Sequence, residues 1–552
     1  MIYDVVPLAY VVREINPDKP LFCDTETDGL YGSIELVQFM QDDWETALLV
    51  EKPDRDKLRK MMENLWTIWH NSSYDLSTLD VIPELFDDTF LLARLEFFDK
   101  DVFSLDAVYE YALHYDPYEE ADINKKVMQK TRWAGKLTHE HFLYAAIDVY
   151  YMPELWKRLE LQRKDSNYRL DIATIKHCIK MQRNGLPLLS LAQELKEVSN
   201  EIEIVESILP VNPRSFQQVA SYLNMPDGTG ADKLAVLISK GGEKAEKAEM
   251  VRKARELSKY RSTYLSKMVG HPRWYGHFAP TTRSGRLASK NNNLQNLPRK
   301  MKKFVGVDDG KVLISADFAQ LEMRTIACIA NDTTMIELFN AGEDLHGFMA
   351  KIIFGENYTP EQRQIAKVAN FSLLYGAGAA KYASILLSMT GIIISESEAL
   401  RIKNTWLNTF RGIRAWQQQG IKQWRAGNYH WTPMGRRYKA KMLNDYLNIE
   451  NQGAGADIAK LAFNYIMNSL PDNAMMVNFV HDSYLAECDN DPEIYKPVAE
   501  LFAVSMQQAW AEYQKVEPRF GLIRMPVSVG VAKTWKDADG MADTCEYILE
   551  IE

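Results

Sequence analysis

Cysteine is scarce in this chain, with five in 552 residues at Cys23, Cys178, Cys328, Cys488 and Cys545, and no two form a Cys-x-x-Cys pair. That scatter fits a reducing cytoplasm and argues against a structural zinc site. No stretch of about 18 apolar residues occurs, and the opening Met-Ile-Tyr-Asp-Val-Val-Pro lacks a basic region followed by an apolar segment, so neither export nor membrane spanning is expected. Repeats and low-complexity tracts are missing as well. Net positive charge is also lacking, the formal value being −10. What remains is ordinary for a folded protein, 46% hydrophobic and 25% charged, in a chain too long for one core. Two or three packed units are expected.

Against that plain background, Arg363, Lys367, Phe371 and Tyr375 recur every fourth residue, with Gly376 closing the run. A step of four drifts by only about 40° around a helix, so two cations and two rings share one face. Such a face suits a nucleoside triphosphate, with cations for phosphate oxygens and flat apolar surface for sugar and base. Two aspartates stand in strand-like settings. Lys311-Val-Leu-Ile-Ser-Ala-Asp317 is an apolar run ending in an acid, and Val477 to Glu487 reads as a hairpin with His481-Asp482 at its tip. Carboxylates at the ends of adjacent strands can hold two divalent cations roughly 4 Å apart.

These segments resemble motifs A, B and C of the family A (DNA polymerase I-like) DNA polymerases. The similarity extends to Thr282-Arg-Ser-Gly285-Arg286-Leu-Ala-Ser289, to Asn293-Leu-Gln295-Asn296-Leu-Pro298, to Asp344-Leu-His346, to Asn448 and Gln452, and to Val529-Gly530 with Trp535. A second centre lies in the first 150 or so residues. Asp24 and Glu26 are two apart on an expected strand and so share a face, while Asp75 and Asp148 follow Asn71 and Tyr144 by four residues on expected helices. Four such acids would repel one another unless cations sat between them. As an ordered set they resemble the 3′–5′ proofreading exonuclease of the DEDDy type.

The resemblance implies an α/β and α+β multidomain chain, an RNase H-like 3′–5′ exonuclease domain over about 1–165 followed by a right-hand polymerase domain over about 166–552. Within the latter the thumb is expected over about 188–270, the palm over about 271–334 and 441–552, and the fingers over about 335–440. Asp317 and Asp482, with the Phe318 carbonyl, are implied metal ligands of the polymerase site. Asp24, Glu26, Asp75 and Asp148 are those of the exonuclease site, where Tyr144 would orient water. Arg363, Lys367 and His346 would contact the triphosphate, Lys367 also serving as proton donor, with Phe371, Glu322 and Gln320 around the nucleotide and Tyr375 near the templating base. Arg286, Asn448, Gln452, His481, Gln295 and Asn296 are the implied DNA contacts. The implied cofactor is Mg²⁺, two ions in each site, with Mn²⁺ as an alternative. Primer–template DNA, dNTPs and replisome proteins are the implied partners of a monomer without membrane contact. From Arg252 to Lys303 the chain is dense in Lys and Arg and only Glu256 opposes them, which favours a phosphate track for duplex DNA.

The layout resembles a bacteriophage replicative polymerase working in the cytoplasm of its host. Asp24 lies too near the start for an upstream 5′-nuclease domain, and the thumb is too short for a large insertion that recruits a processivity partner. One departure stands out: Ser483 follows Asp482 where the family usually has Glu. His-Asp-Ser is also what single-subunit phage RNA polymerases carry, which makes them the rival reading, alongside a nuclease or DNA-binding factor with a decayed polymerase domain. Glu322, a large acid expected under the ribose, and the exonuclease set favour DNA synthesis, while intact Asp317, Lys367 and Asp482 oppose decay.

Overall fold

The computed structural model describes residues 2–29, 32–542 and 545–551. Along the strand Leu21–Thr27, Leu21, Cys23 and Thr25 are buried on one face while Asp24 and Glu26 remain half-buried on the other. This strand lies inside a six-stranded sheet whose order is Tyr3–Val5, Ala47–Glu51, Ile34–Met40, Leu21–Thr27, Trp66–Trp69, Leu85–Asp88. It pairs antiparallel with Ile34–Met40 and parallel with Trp66–Trp69, and the helix His139–Tyr150 packs across it. Two helices run in succession here, His139–Tyr150 and Met152–Leu159. Pro153 stands in the first turn of the second, where a missing N–H leaves no bond unmade.

The second large sheet has five antiparallel strands in the order Ala474–Val480, Ser483–Asp489, Lys311–Phe318, Val527–Ala532, Tyr547–Ile551. Its central strand is apolar on both faces, Val312, Leu313, Ile314 and Ala316 being wholly buried. The long helices Leu443–Ser469 and Pro492–Val516 pack on each other, the second also against this sheet. Gly530 is required by close approach, because a Cβ there would lie 2.1 Å from the Ala538 carbonyl oxygen of the helix Trp535–Gly540.

A third, small core gathers Val205, Leu209, Val219, Leu223, Leu234 and Val251. Nearby, the charged segment that begins at Lys240 is helical from Glu243 onward. Gly242 turns the chain at φ 82°, Glu243 and Lys247 pair at 2.6 Å one turn apart, and Ala245 and Ala248 are buried. The helix Ala231–Ile238 of this region touches the helix Ala379–Thr390. The basic run is not an open strip. Acids remote in sequence neutralise part of it, Lys253 pairing with Glu201, Arg273 with Glu487, Lys302 with Asp539 and Lys303 with Glu194. Among the described residues Arg255, Lys259, Arg261, Lys267, Lys290, Arg299 and Lys300 have no ion pair, so the unpaired basic surface is narrower than the sequence suggests.

One helix, Ser166–Asn184, belongs to both large cores: Tyr168, Ile175 and Ile179 pack into the first, Cys178 and Met181 into the second. It is fixed by a buried charge cluster in which Asp171 accepts from Arg436 at 2.9 Å and from Lys460 at 2.5 Å, with Asp457 3.3 Å from Lys460. Two acids and two cations leave no net charge. Removing one partner from such a set strands the rest in low dielectric. Lys460→Met should therefore destabilise the protein by about 3–5 kcal/mol, seen as a lowered thermal unfolding temperature; an unchanged melting curve would show that the cluster does not hold the helix.

Candidate active sites

The acids of the first sheet meet across an element boundary. Asp24 and Glu26 come from the strand Leu21–Thr27 and Asp148 from the helix His139–Tyr150, and an oxygen of each lies within 4.8 Å of the others. Burial, then the neighbouring acids, drives Asp24 and Glu26 well above the usual carboxylate range. Asp148 is pushed up to about 6, chiefly by burial. Asp75 lines the same cavity of about 700 Å³ but stands outside the tight trio, its carboxylate accepting from the Thr25 hydroxyl at 2.6 Å. Burial raises it to about 7. Tyr144, one turn before Asp148, is 5% exposed, and burial beside these acids raises its phenol, keeping it protonated as a donor. These groups can bind divalent cations, which would relieve their repulsion.

Three participants here carry no sequence signal. Tyr118 donates its hydroxyl to Asp148. Lys125, which lines the cavity, pairs with Asp106 at 3.0 Å and places Nζ 4.6 Å from the centre of the Tyr118 ring, and its charge opposes that of Asp24, Glu26 and Asp148. Asp88 accepts from the backbone N–H groups of Asn71 and Ser72 at 3.1 and 2.8 Å, which sets the start of the helix Ser73–Leu79 carrying Asp75. No local spacing links these residues to the acids they serve.

In the second sheet Asp317 lies near the end of Lys311–Phe318, and Asp482 occupies the turn before Ser483–Asp489, the neighbouring strand. Burial and then Asp482 push Asp317 up to about 8; burial pushes Asp482 up to about 6. Phe318 is buried beside them, and His481 takes the left-handed conformation, φ 57°, that turns the hairpin. Asp317 is opposite Ser483 on one side and Ser528 on the other, so no acid replaces the usual glutamate in register. The further acid it feels is Asp539, which the sequence reading missed and which pairs with Lys302 at 2.8 Å.

Arg286, Glu322 and Tyr375 converge on this edge. Glu322 forms an ion pair with Arg286 and accepts from the Tyr375 hydroxyl at 2.9 Å, and Asn451 donates to that hydroxyl at 2.8 Å. Gln320, at φ 55°, starts the helix that carries Glu322. The stripe lies on the helix Pro360–Leu374, started by a capping box between Thr359 and Gln362. Its other face, Ile365, Ala366, Val368, Ala369 and Leu373, is buried, leaving Arg363 and Lys367 partly open and Phe371 43% exposed. Tyr375 falls just beyond the last helical residue. Arg363 is held by Asp344 at 2.7 Å, so a ligand there must exchange with an acid. His346 sits 5.6 Å from the Phe371 ring and 2.9 Å from Asn370, whose oxygen accepts from Trp406 at 2.7 Å. Burial lowers His346 to about 4, so the ring is neutral near pH 7.

The expected DNA contacts divide. Asn448 and Gln452 are partly open on the helix Leu443–Ser469, and the Asn448 amide oxygen has no partner among the described residues. Gln295 is engaged, donating to the Phe479 carbonyl at 3.1 Å, and the Asn296 carbonyl accepts from Tyr264 at 3.3 Å. Gln295 therefore braces the hairpin, while the bond at Asn296 engages its backbone alone.

Comparison with known proteins gives these sites a context. Residues 1–164 match the 3′–5′ exonuclease family model and residues 189–537 match DNA polymerase family A. The chain is 27% identical over 556 residues to DNA polymerase I of Aquifex aeolicus, covering 91% of this chain and 94% of that one. It is 26% identical over 508 residues to the DNA polymerase of Mycobacterium phage D29, covering 79% and 82%. Against the thermostable DNA polymerase I of Thermus filiformis it is 30% identical over 320 residues, 52% of this chain, and spans 36% of that enzyme's length. The fold is similar to the POL domain of Pol1 from M. smegmatis, solved with DNA primer-template and dNTP, at a TM-score of 0.76 and 21% identity over 97% of this chain and 100% of that one. With a family model matching more than half of its length, the chain belongs to DNA polymerase family A and carries a 3′–5′ exonuclease domain ahead of its polymerase domain.

Proposed function

We propose that this protein extends the 3′-hydroxyl of a DNA primer with dNTPs on a template and removes misincorporated 3′ nucleotides with its exonuclease, in the replication of a phage genome. The observation that carries this reading is the pair Asp317 and Asp482 at adjacent strand ends, both raised by burial, in a domain that also bears the open Arg363, Lys367, Phe371 face. We infer a division at about residue 165, with thumb, palm and fingers over about 188–270, 271–334 with 441–552, and 335–440; the separate sheets and the small third core support it. Glu322, tied to Arg286 and Tyr375, supports DNA over RNA synthesis.

The donor sets fit hard divalent cations, all ligand atoms being oxygens. Asp317, Asp482 and the Phe318 carbonyl would hold them in one site, and Asp24, Glu26, Asp75 and Asp148 in the other, with Mg²⁺ the proposed ion. Bound cations would supply charge stabilisation for nucleotidyl transfer and for hydrolysis. The protein's own groups do the rest. Arg363 and Lys367 receive the triphosphate, and Lys367 is placed to protonate the departing pyrophosphate. Glu322 fills the space beneath the sugar, Arg286, Asn448 and Gln452 face the minor groove, and His481 faces the primer end. In the exonuclease site the neutral Tyr144 phenol orients water, and Lys125 adds positive charge beside the phosphate.

Asp24→Ala with Glu26→Ala should abolish 3′–5′ degradation of a labelled primer and leave extension largely intact; loss of both in a folded double variant would remove the assignment of the first site. The raised carboxylates also fix a sign. Each is protonated without penalty below its unfolded value near 4, and the metal-free fold loses stability as pH rises through the folded values of about 6 to about 8. Mg²⁺ relieves that loss, so the rise in melting temperature on replacing EDTA by Mg²⁺ should be larger at about pH 8 than at about pH 5.5; equal rises would show that these acids are not the ligands. Glu322→Ala should admit ribonucleotides, lowering discrimination in kcat/KM by about 100-fold if about 3 kcal/mol is lost, whereas an unchanged ratio would reopen the RNA polymerase reading.

A further inference from the structure

Between Glu398 and Asp445 the chain contains no acid at all, in a molecule whose acids outnumber its bases 75 to 65. From Arg411 onward that stretch forms the helix Arg411–Arg425 and the hairpin of His430–Trp431 and Arg437–Tyr438. Among the described residues Lys422, Arg425, Arg437 and Lys439 make no ion pair, although Lys441 pairs with Asp101 and Arg436 with Asp171. Aromatic side chains lie between these cations and are left in solvent: Trp431 is 55% exposed and Tyr429 41%. Trp431 is cross-strand from Arg437, and Lys439 places Nζ 5.9 Å from the Tyr429 ring centre.

The same rings border a cavity of about 780 Å³ that shares no lining residue with the cavity holding the exonuclease acids. Its walls include Trp416, Gln423, Asn428 and the stacked pair His430 and Tyr446, whose ring centres are 4.3 Å apart at 7°. The polar edges of the inner rings are already used, Trp416 Nε1 donating to Glu450 at 3.0 Å. What the cavity offers a ligand is therefore flat ring surface beside unpaired cations, the acid in its wall, Glu450, being held by Trp416 and 3.4 Å from His430. Exposed rings beside unpaired cations match the two repeating features of a single strand of nucleic acid, unstacked bases and phosphates.

We propose that this cavity and its basic rim bind the unpaired template strand ahead of the templating position. Leu447 links the two places. It lines the cavity, and its Cδ1 would lie 3.0 Å from a Cβ at Gly376, the residue after Tyr375. The helix that carries Leu447 also carries Asn448 and Gln452 on the partly open side and Asn451, which holds the Tyr375 hydroxyl. A strand leaving the templating base thus meets the cavity within a short reach. Bases stack on Trp431 and Tyr429, and Lys422, Arg425 and Lys439 meet the phosphates. The proposal rests on the polymerase reading for its choice of strand.

The test compares the parent protein with Trp431→Ala and with a Lys422→Ala, Arg425→Ala double variant, all exposed positions outside both acid centres. Fluorescence anisotropy in EDTA, which silences both chemistries, measures Kd for a labelled primer–template whose 5′ template overhang is roughly two or roughly twelve nucleotides, a length that spans a stacking groove. The parent should bind the long overhang more tightly. Trp431→Ala should remove about tenfold of that gain, the scale of one lost base stack, with the short-overhang Kd unchanged. The double variant should flatten the salt dependence of the long-overhang complex by a slope of about 1.4, at about 0.7 per single-strand phosphate neutralised. Equal Kd for the two overhangs in the parent, or an overhang gain that survives in both variants, overturns the proposal. A variant that keeps the gain but degrades a 3′ single-stranded primer tail more slowly with Mg²⁺ assigns the surface to the primer and overturns it too. Primer extension by the parent separates the two levels: no extension with Mg²⁺ and four dNTPs would sink the polymerase reading, whatever the overhang does.

Discussion

Carboxylates held closer together, and drier, than their charges allow set the terms for both halves of this molecule. Asp24, Glu26 and Asp148 share oxygens within 4.8 Å, and Asp317 and Asp482 repel across adjacent strands. Burial and mutual repulsion oppose full ionisation of either group, so added positive charge would stabilise each. The surrounding structure is built to keep the acids there. Asp88 pins the helix of Asp75, Tyr118 donates to Asp148, and Gly530 lets a helix close over the sheet that carries Asp317. The two centres are not equally furnished. Asp148 has a phenol donor and a nearby lysine, whereas Asp317 stands between two serines and feels both Asp539 from a following helix and the opposing charge of Lys302.

The legible part of the sites was the part written in local period. Two acids two residues apart on a strand, and four groups four residues apart on a helix, declare their common face because backbone geometry alone puts them there. The hairpin tip at His481 and Asp482 was legible for the same reason. Tyr118, Lys125, Asp88 and Asp539 were not, since each reaches its site from another element through a contact that only packing creates. Charge was the least legible property. Arg286 is paired with Glu322, Arg363 with Asp344 and Lys253 with Glu201, so side chains that sequence alone assigns to phosphates are first held by acids. An unopposed run in one dimension is opposed in three. In the acid-free stretch after Glu398, Arg437 and Lys439 instead lie beside rings, which do not neutralise them.

The helix Pro360–Leu374 shows how a surface stripe becomes directional. Its buried side fixes rotation about the helix axis, and the chain from Trp406 through Asn370 to His346 fixes the neighbouring imidazole as a neutral ring beside Phe371. Tyr375 ends the helix and is held from two sides, by Glu322 and Asn451. A movement of this helix relative to the sheet therefore cannot leave Glu322 undisturbed, and the place of that acid is mechanically linked to the place of the helix.

The two family models end at residue 164 and resume at residue 189, and the helix Ser166–Asn184 falls wholly in the interval between them. That interval is the least separable part of the molecule, because Tyr168, Ile175 and Ile179 complete one core while Cys178 and Met181 complete the other. Dividing the chain there would bare an apolar face whichever half kept the helix, and a cut after the helix would also part the buried Arg436 and Lys460 from Asp171. The seam that looks natural to a reader of homologies is thus the one at which neither half can be cut out whole.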